Sequence, residues 1–190
     1  MDLALSPQDE AFRDEVRRFL DENLTEDLRE AGRKTGGVFA DVDAGLRWHK
    51  VLAKRGWSAP SWPTEYGGTG WSATQRYIFS RESVAVDAPR IFSMGIRMVG
   101  PVIMKFGTPE QKAKYLPRIV SGDIVFCQGY SEPGSGSDLA SLKTRAVREG
   151  EDYVINGTKI WTTARTSPTT CSAWCAPRPR ASRRTASPSC

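Results

Sequence analysis

A run of small residues in the second half of the chain has the composition of a ligand-binding loop. It leaves a predicted strand through Tyr130-Ser-Glu-Pro133 and continues as Gly134-Ser-Gly-Ser137. Glycines let backbone N–H groups come close to a phosphate or to the edge of a cofactor ring, and the hydroxyls of Ser131 and Ser137 can donate hydrogen bonds. The alternative is a glycine-rich turn that only reverses the chain, and the loop by itself does not separate these two interpretations.

The residues around this loop predict β-structure between residues 123 and 163. A strand from Lys143 to Arg148 is followed by the turn Arg148-Glu-Gly-Glu-Asp152, and Tyr153–Ile155 forms the next strand. Both residues of Asn156-Gly157 tolerate positive φ, so this pair predicts a hairpin turn, with Ile160–Thr163 as the returning strand.

The preceding residues, 1–122, predict a helical domain. Apolar residues recur at helical spacing, and capping residues mark the helix ends. Gly56 suits a helix C-terminus, the segment Trp57–Gly70 is a loop, and Pro101 is expected to kink or split the fourth helix. Helices are predicted to begin after Ser6, near residue 41, after Ser72, near residue 90 and, with a capping box between Thr108 and Gln111, after Thr108.

The predicted fold class is therefore α+β, with an all-helical N-terminal domain over residues 1–122. The first strands of a β-barrel or sandwich domain follow over residues 123–163, and this second domain is incomplete. Residues 164–190 show no periodicity and contain many helix and strand breakers, so they are predicted to be disordered.

The basic charge of the chain lies in this tail. The net charge is +5, and residues 164–190 contain five arginines and no acid, which leaves 22 basic against 22 acidic residues in the rest. A folded nucleic-acid-binding domain carries its basic patch on the folded part, so this function is not expected. One cysteine before the tail, no run of 18 apolar residues and no secretory leader predict a cytoplasmic protein with no membrane span.

Four segments in this order resemble the acyl-CoA dehydrogenase family, and the resemblance covers residues 1–163. They are Trp62–Gly70, Phe106–Pro117, Phe126–Asp138 and Tyr153–Thr163. The resemblance implies an FAD-dependent enzyme that removes two hydrogens from the α and β carbons of an acyl-CoA thioester. It also implies electron-transfer flavoprotein as the electron acceptor and a homo- or hetero-tetramer in intact relatives.

The resemblance also assigns cofactor contacts. Tyr130 and Ser131 would lie against the flavin ring, Trp161 would stack near it, and Thr163 would donate a hydrogen bond to it. Ser137 would reach the cofactor phosphate or the thioester substrate. The family more often has threonine at position 131 and an aromatic residue at position 128. The full set of expected FAD contacts is Gln128, Gly129, Tyr130, Ser131, Gly136, Ser137, Trp161, Thr162 and Thr163.

No catalytic residue is assigned in this chain. In the family a carboxylate takes the α proton while the β hydrogen leaves as hydride, and that base usually comes from a C-terminal helical domain. Nothing here corresponds to that domain, so the chain alone is expected to be inactive. The alternatives are a non-catalytic fragment that binds full-length subunits, or the oxidase chemistry of related flavoproteins.

Several other residues have simpler expected roles. Glu132 resembles a general base but is expected to support the loop, and His49 is expected to be a surface or packing residue. Cys127 is expected in a buried strand. The spacing of Cys171 and Cys175, without a nearby histidine, does not predict a zinc site. Three methionines are expected in the core, with an acyl channel as the alternative: Met94, Met98 and Met104.

The composition of the tail favours a shift of reading frame over a natural disordered tail. Codons for Thr166–Pro177 can be chosen so that the shifted frame encodes a strand like the one that follows in the family, and the same holds for Thr185–Cys190. The shift is predicted near Thr163–Thr166, and it would make residues 164–190 out of frame.

Overall fold

The chain forms two compact units, residues 1–124 and residues 125–190. The structure is a computed structural model, and it describes residues 5–35, 41–162, 170–173 and 176–177. The sequence places the domain boundary between residues 122 and 123. Helices occupy the first unit and short strands the second, so the predicted α+β class is confirmed.

The described residues of unit 1, 5–35 and 41–124, form six α-helices, one π-helix and a short 3-10 turn. The α-helices are α1 (Pro7–Asn23), α2 (Glu26–Arg33), α3 (Val42–Arg55), α4 (Ala73–Ala85), α5 (Gly100–Phe106) and α6 (Pro109–Val120). The π-helix spans Met94–Val99 and the 3-10 turn Thr64–Tyr66.

The helix ends follow the capping residues in the sequence. The Ser6 hydroxyl accepts a hydrogen bond from the Asp9 N–H at 3.1 Å. Thr108 and Gln111 form the reciprocal capping box, at 3.3 and 2.9 Å. Gly56 ends α3 with a φ of 77°, a left-handed conformation that favours glycine. These local hydrogen bonds satisfy backbone groups that a helix end otherwise leaves without partners.

The core of unit 1 forms around the apolar face of α1. The four apolar residues that recur at helical spacing on this helix, Phe12, Val16, Phe19 and Leu20, are all buried. They belong to a cluster that also contains Trp48, Leu52, Trp57 and Ile78. Burying each large apolar side chain stabilises the fold by about 1.5–3 kcal/mol before entropy is counted.

The fourth predicted helix is split, as the proline indicated, but it begins later than predicted. The π-helix starts at Met94 instead of residue 90, and α5 takes over at Gly100 with Pro101 in its first turn. The buried Trp62 donates from Nε1 to the Ile96 carbonyl at 2.7 Å. A Cβ on Gly100 would lie 2.1 Å from the Trp62 ring, so only glycine fits beside this indole.

The part of unit 2 that the structure describes forms two small sheets. The first pairs β1 (Phe126–Gly129) with β4 (Thr170–Ala173) in parallel, and the second has the order β3–β2–β5. In it, β2 (Arg145–Glu149) pairs antiparallel with β3 (Asp152–Asn156), through the predicted turn, where Gly150 has a φ of 65°. The strands β4 and β5 (Ala176–Pro177) fall within the range for which the sequence predicts disorder. The rest of that range lies outside the described residues.

The hairpin predicted at Asn156-Gly157 is wrong. Residues Gly157–Thr162 leave β3 without forming a strand, and Gly157 is not among the glycines with positive φ. A Cβ at Gly157 would lie 2.1 Å from Thr144 Oγ1. Glycine is therefore required here because the backbone passes directly over Thr144, and a β-turn plays no part.

Candidate functional site

The small-residue loop of unit 2 is held closed by its own backbone. The Glu132 N–H donates to the Ser135 carbonyl at 2.8 Å, and the Ser135 N–H donates back to the Glu132 carbonyl at 3.0 Å. The buried Ser135 hydroxyl donates to the Asp138 carbonyl at 2.8 Å. Pro133 and Gly134 therefore form the tip of a tight turn directly after β1.

Two glycines in this loop have no structural explanation within the chain. Neither Gly134 nor Gly136 has a positive φ, and a Cβ added to either would meet nothing within 4 Å. A side chain at these positions would therefore fit both the backbone and its neighbours. Close approach of another molecule to the backbone is the remaining physical reason for glycine at such a position.

Glu132 is the buried polar centre of the site. One carboxylate oxygen accepts the Lys143 N–H at 2.7 Å, and the other accepts the Thr144 N–H at 2.9 Å and the Lys159 ammonium at 3.0 Å. Burial alone would raise the pKa of Glu132, but hydrogen bonds from Thr144, Lys143 and Lys159 outweigh it and lower the pKa to about 2.

This carboxylate is ionised near neutral pH and fully engaged, so it is a poor general base. The predicted loop-supporting role of Glu132 is confirmed.

Lys159 and Ile160 connect the loop to the segment that follows β3. Lys159 Nζ donates to the Tyr130 carbonyl at 2.9 Å as well as to Glu132. The Ile160 N–H donates to the Ser131 carbonyl at 2.9 Å. These bonds bring Tyr130 and Ser131 next to the residues that immediately precede Trp161.

Trp161 combines exposure with a strained backbone. Its φ is 56°, which is unusual for a bulky residue, and it is 84% exposed. Such a conformation costs on the order of 1–3 kcal/mol, and strain of this kind is concentrated at ligand sites and switch regions. An exposed indole at the edge of a closed loop is a candidate stacking surface for a flat ring.

The other residues expected to contact the cofactor lie along the same two segments. Gln128 and Gly129 are in β1, Gly136 and Ser137 are exposed in the loop, and Thr162 is half-buried. Thr163 lies outside the described residues. The bonds described above join the Tyr130–Ser131 segment to residues 159–160, and they do not involve Gly136 or Ser137.

Sequence reasoning missed two residues of this site, Lys159 and Thr144. The signal for Lys159 was partial, because a lysine in a mostly uncharged stretch suggests an acidic partner without identifying it. Thr144 lies within the predicted strand Lys143–Arg148 and had no signal of its own. In the structure its buried Oγ1 has no hydrogen-bond partner among the described residues.

The remaining candidates have structural roles. His49 is buried, and its Nε2 lies 3.0 Å from the Val120 carbonyl. Burial lowers the pKa of His49, which favours the neutral ring, although the Val120 carbonyl opposes this. Cys127 is buried in β1 as predicted. Met94 is buried, whereas Met98 and Met104 are half-buried.

Two classes of feature are not found in the part of the chain that the structure describes. Among residues 5–35, 41–162, 170–173 and 176–177, no group of three or more His, Cys, Asp or Glu side chains is placed to hold a metal ion. No helix within those ranges is both long enough and apolar enough to cross a bilayer.

Two family models match the chain, one for each unit. The acyl-CoA dehydrogenase N-terminal domain matches residues 6–123. The acyl-CoA dehydrogenase middle domain matches residues 127–188, which includes most of the stretch predicted to be out of frame.

The chain is similar to longer proteins, among them acyl-CoA dehydrogenases. Acyl-CoA dehydrogenase FadE26 of Mycobacterium tuberculosis is 44% identical over 162 residues, covering 85% of this chain and 40% of that protein. The ChsE4-ChsE5 complex from Mycobacterium tuberculosis has a TM-score of 0.79 at 38% identity, covering 97% of this chain and 46% of that one. A glutaryl-CoA dehydrogenase from Mycobacterium smegmatis in complex with FADH2 has a TM-score of 0.61 at 25% identity, covering 91% and 43%. The chain thus spans less than half the length of these relatives.

Proposed function

We propose, from the premise that this chain belongs to the acyl-CoA dehydrogenase family, that its loop and the segment after β3 hold FAD for the α,β-dehydrogenation of an acyl-CoA thioester. The observation that carries this proposal is the junction of the two segments. The Ile160 N–H bonds to Ser131, and Lys159 bonds to both Tyr130 and Glu132. Residues expected to contact one cofactor are thereby held together across about 30 positions of sequence.

The residues of the site fit a flavin dinucleotide. Gly136 and Ser137 offer an exposed backbone and a hydroxyl, which suit a phosphate. The exposed Trp161 indole suits stacking on a ring, and the Ser131 hydroxyl suits a polar ring edge. Gln128, Gly129, Tyr130, Thr162 and Thr163 complete the proposed FAD contacts, and Ser137 is also proposed to contact the thioester substrate.

FAD, when bound, supplies the acceptor for the hydride that leaves the β carbon of the substrate. The proposed role of the residues in this chain is to bind and orient FAD and the thioester substrate. Of the carboxylates in the site, Glu132 is tied to three donors and is not available to take the α proton. We therefore propose that the base lies outside residues 1–190, in the part of the longer relatives that this chain does not cover. Electron-transfer flavoprotein is the proposed electron acceptor, and the proposed compartment is the cytoplasm.

A second candidate function is a non-catalytic fragment that binds full-length subunits of a dehydrogenase. The observation that favours it is β3, which exposes Tyr153, Val154 and Ile155. Exposed apolar side chains on an edge strand are suited to pairing with another chain. Co-purification of a full-length dehydrogenase, lost when Tyr153 and Ile155 are both changed to Thr, would support this function over catalysis.

Residues 1–190 by themselves are expected to be purified without colour and without acyl-CoA oxidation, because they cover less than half the length of the relatives they match and Glu132 is tied to three donors. Absorbance at the flavin bands and dye-coupled assays with acyl-CoA thioesters measure both properties. A yellow preparation that oxidises acyl-CoA would overturn this expectation. Sequencing the gene from the codon for residue 155 to beyond the codon for residue 190 tests the shift of reading frame, which stays a prediction.

Gly136→Ala is expected to weaken binding of added FAD about tenfold while leaving the free energy of unfolding within about 0.5 kcal/mol. The added methyl group meets nothing in the chain, so its cost appears only when a ligand approaches the backbone. Titration of FAD fluorescence and urea unfolding measure the two quantities. Gly56→Ala is the control, because its φ of 77° predicts a stability loss of about 1 kcal/mol with unchanged FAD binding. If the unsubstituted chain and Gly136→Ala bind FAD with equal affinity, the loop is not part of the FAD site.

A further inference from the structure

The ammonium group of Lys159 is mostly buried at the junction of the two segments of the candidate site. Its side chain is 13% exposed and that of Glu132 is 6% exposed. Nζ donates to the Glu132 carboxylate at 3.0 Å and to the Tyr130 carbonyl at 2.9 Å. A lysine is seldom buried to this extent unless it is paired, so the position of Lys159 is determined by these two acceptors.

Glu132 extends this pairing to a third part of unit 2. It also accepts the N–H groups of Lys143 and Thr144, which lie just before β2. The Lys159–Glu132 pair therefore joins the loop after β1, the start of β2 and the segment after β3. Charge-assisted hydrogen bonds are about twice as strong as neutral ones, and at this junction they are shielded from water.

The residues held by this pair are the ones next to the proposed ring contacts. Lys159 fixes the carbonyl of Tyr130, and one residue further along each segment the Ile160 N–H bonds to the Ser131 carbonyl. Trp161 follows with its φ of 56°. A strained conformation of this kind persists only where the surrounding structure holds it, and the bonds of Lys159 and Ile160 anchor the two residues that directly precede Trp161.

We propose that Lys159 and Glu132 are positioning residues for the FAD site, which set Tyr130–Ser131 and Ile160–Trp161 in register before the cofactor binds. This inference rests on the proposed function for its ligand. Neither side chain needs to contact the cofactor, because the pair acts through the backbone of the residues that do. Pre-organisation of this kind reduces the ordering cost that binding would otherwise carry.

A second buried-carboxylate pair supplies a matched control. In unit 1, Arg17 Nε donates to Glu82 at 2.7 Å and joins α1 to α4, far from this loop in sequence. It shares with Lys159–Glu132 a buried carboxylate, although the Arg17 side chain is 50% exposed. Arg17→Met therefore removes an ion pair to a buried carboxylate in the part of the chain that has no proposed cofactor contact.

The test uses NMR to measure amide hydrogen exchange without FAD in four proteins. They are the unsubstituted chain, Lys159→Met, Lys159→Arg and Arg17→Met. In Lys159→Met we expect exchange of the Ile160 N–H to accelerate about tenfold, while the N–H groups of the β2–β3 ladder change by less than about twofold. Lys159→Arg, which retains a cation and several donors, is expected to restore at least half of the lost protection. Arg17→Met is expected to leave the Ile160 N–H unchanged.

The same four proteins are then titrated with FAD. Lys159→Met is expected to weaken FAD binding about tenfold, with recovery in Lys159→Arg and no change in Arg17→Met. An unchanged Ile160 N–H in Lys159→Met, or equal acceleration of Ile160 and the β2–β3 ladder, would overturn the positioning role. If the Ile160 N–H behaves as expected but none of the proteins binds FAD, the pair positions these segments and the proposed cofactor site fails for this chain.

Discussion

Replacing Glu132 with Ala is expected to lower the free energy of unfolding of unit 2 by about 3 kcal/mol. The substitution removes the acceptor of three donors at once: the N–H groups of Lys143 and Thr144 and the ammonium of Lys159. Leaving a mostly buried ammonium without its counter-ion is the larger part of this cost. Urea unfolding followed through the amide signals of residues 125–162 measures it.

The control for this substitution is Glu149→Ala in β2. Glu149 is exposed and stands opposite Asp152 in the ladder, so its removal relieves a like-charge pair and is expected to change stability by less than about 0.5 kcal/mol. Glu132→Gln keeps one oxygen acceptor but turns an NH2 donor toward the other N–H group, so it is expected to cost somewhat less than Ala. If both Glu132 variants lower the free energy of unfolding by less than about 0.5 kcal/mol, the Lys159–Glu132 pair does not hold unit 2 together.

The stabilising effect of Glu132 also has a defined pH range. Its folded-state pKa is about 2, against an ordinary value of 4.5. The carboxylate therefore contributes its full stabilisation above about pH 4.5, and this is lost as the pH falls toward 2. The difference in stability between the chain and Glu132→Gln is expected to be constant from pH 7 to about pH 5 and to shrink below it.

Local sequence signals predicted the parts of the fold that depend on local interactions. The caps at Ser6 and Thr108 and the left-handed Gly56 are satisfied by residues within four positions of each other, so their chemistry can be read from a short window. The helix α2 was not predicted, because it is only eight residues long and Leu28 is its one buried residue. The start of the fourth helix was misplaced because the π-helix does not have the 3.6-residue period.

The failure at Asn156-Gly157 has a tertiary cause. This pair fits a hairpin by its local propensity, but the backbone of Gly157 passes so close to Thr144 that no side chain could be accommodated. A contact between residues 13 positions apart thus decides the role of this glycine. The same holds for the site, where the loop was recognised from its small residues while Lys159 and Thr144 were missed. Their roles depend on pairing with Glu132 across the fold, which no short window of sequence displays.

Trp62→Ala is expected to lower the free energy of unfolding of unit 1 by about 4 kcal/mol, because it empties a buried site of aromatic size. Trp62→Phe keeps most of the ring and is expected to cost about 1.5 kcal/mol, since the Ile96 carbonyl loses its indole donor. Urea unfolding followed by helical circular dichroism measures both. Trp71→Phe is the control, because Trp71 is half-buried among aromatic rings that a phenyl ring also contacts, and less than about 1 kcal/mol is expected.

The pattern of amide exchange in Trp62→Phe shows what this indole does for the π-helix. The Ile96 carbonyl that accepts its N–H lies inside Met94–Val99, and Gly100 at the end of that helix is pressed against the ring. Because π-helical turns are rare and occur often at functional sites, an indole that fixes one from outside is expected to act locally. Faster exchange confined to residues 94–100 would show that Trp62 stabilises the π-helix. Equal acceleration throughout unit 1 would make Trp62 an ordinary core residue, and the π-helix would then have to be held by its own sequence.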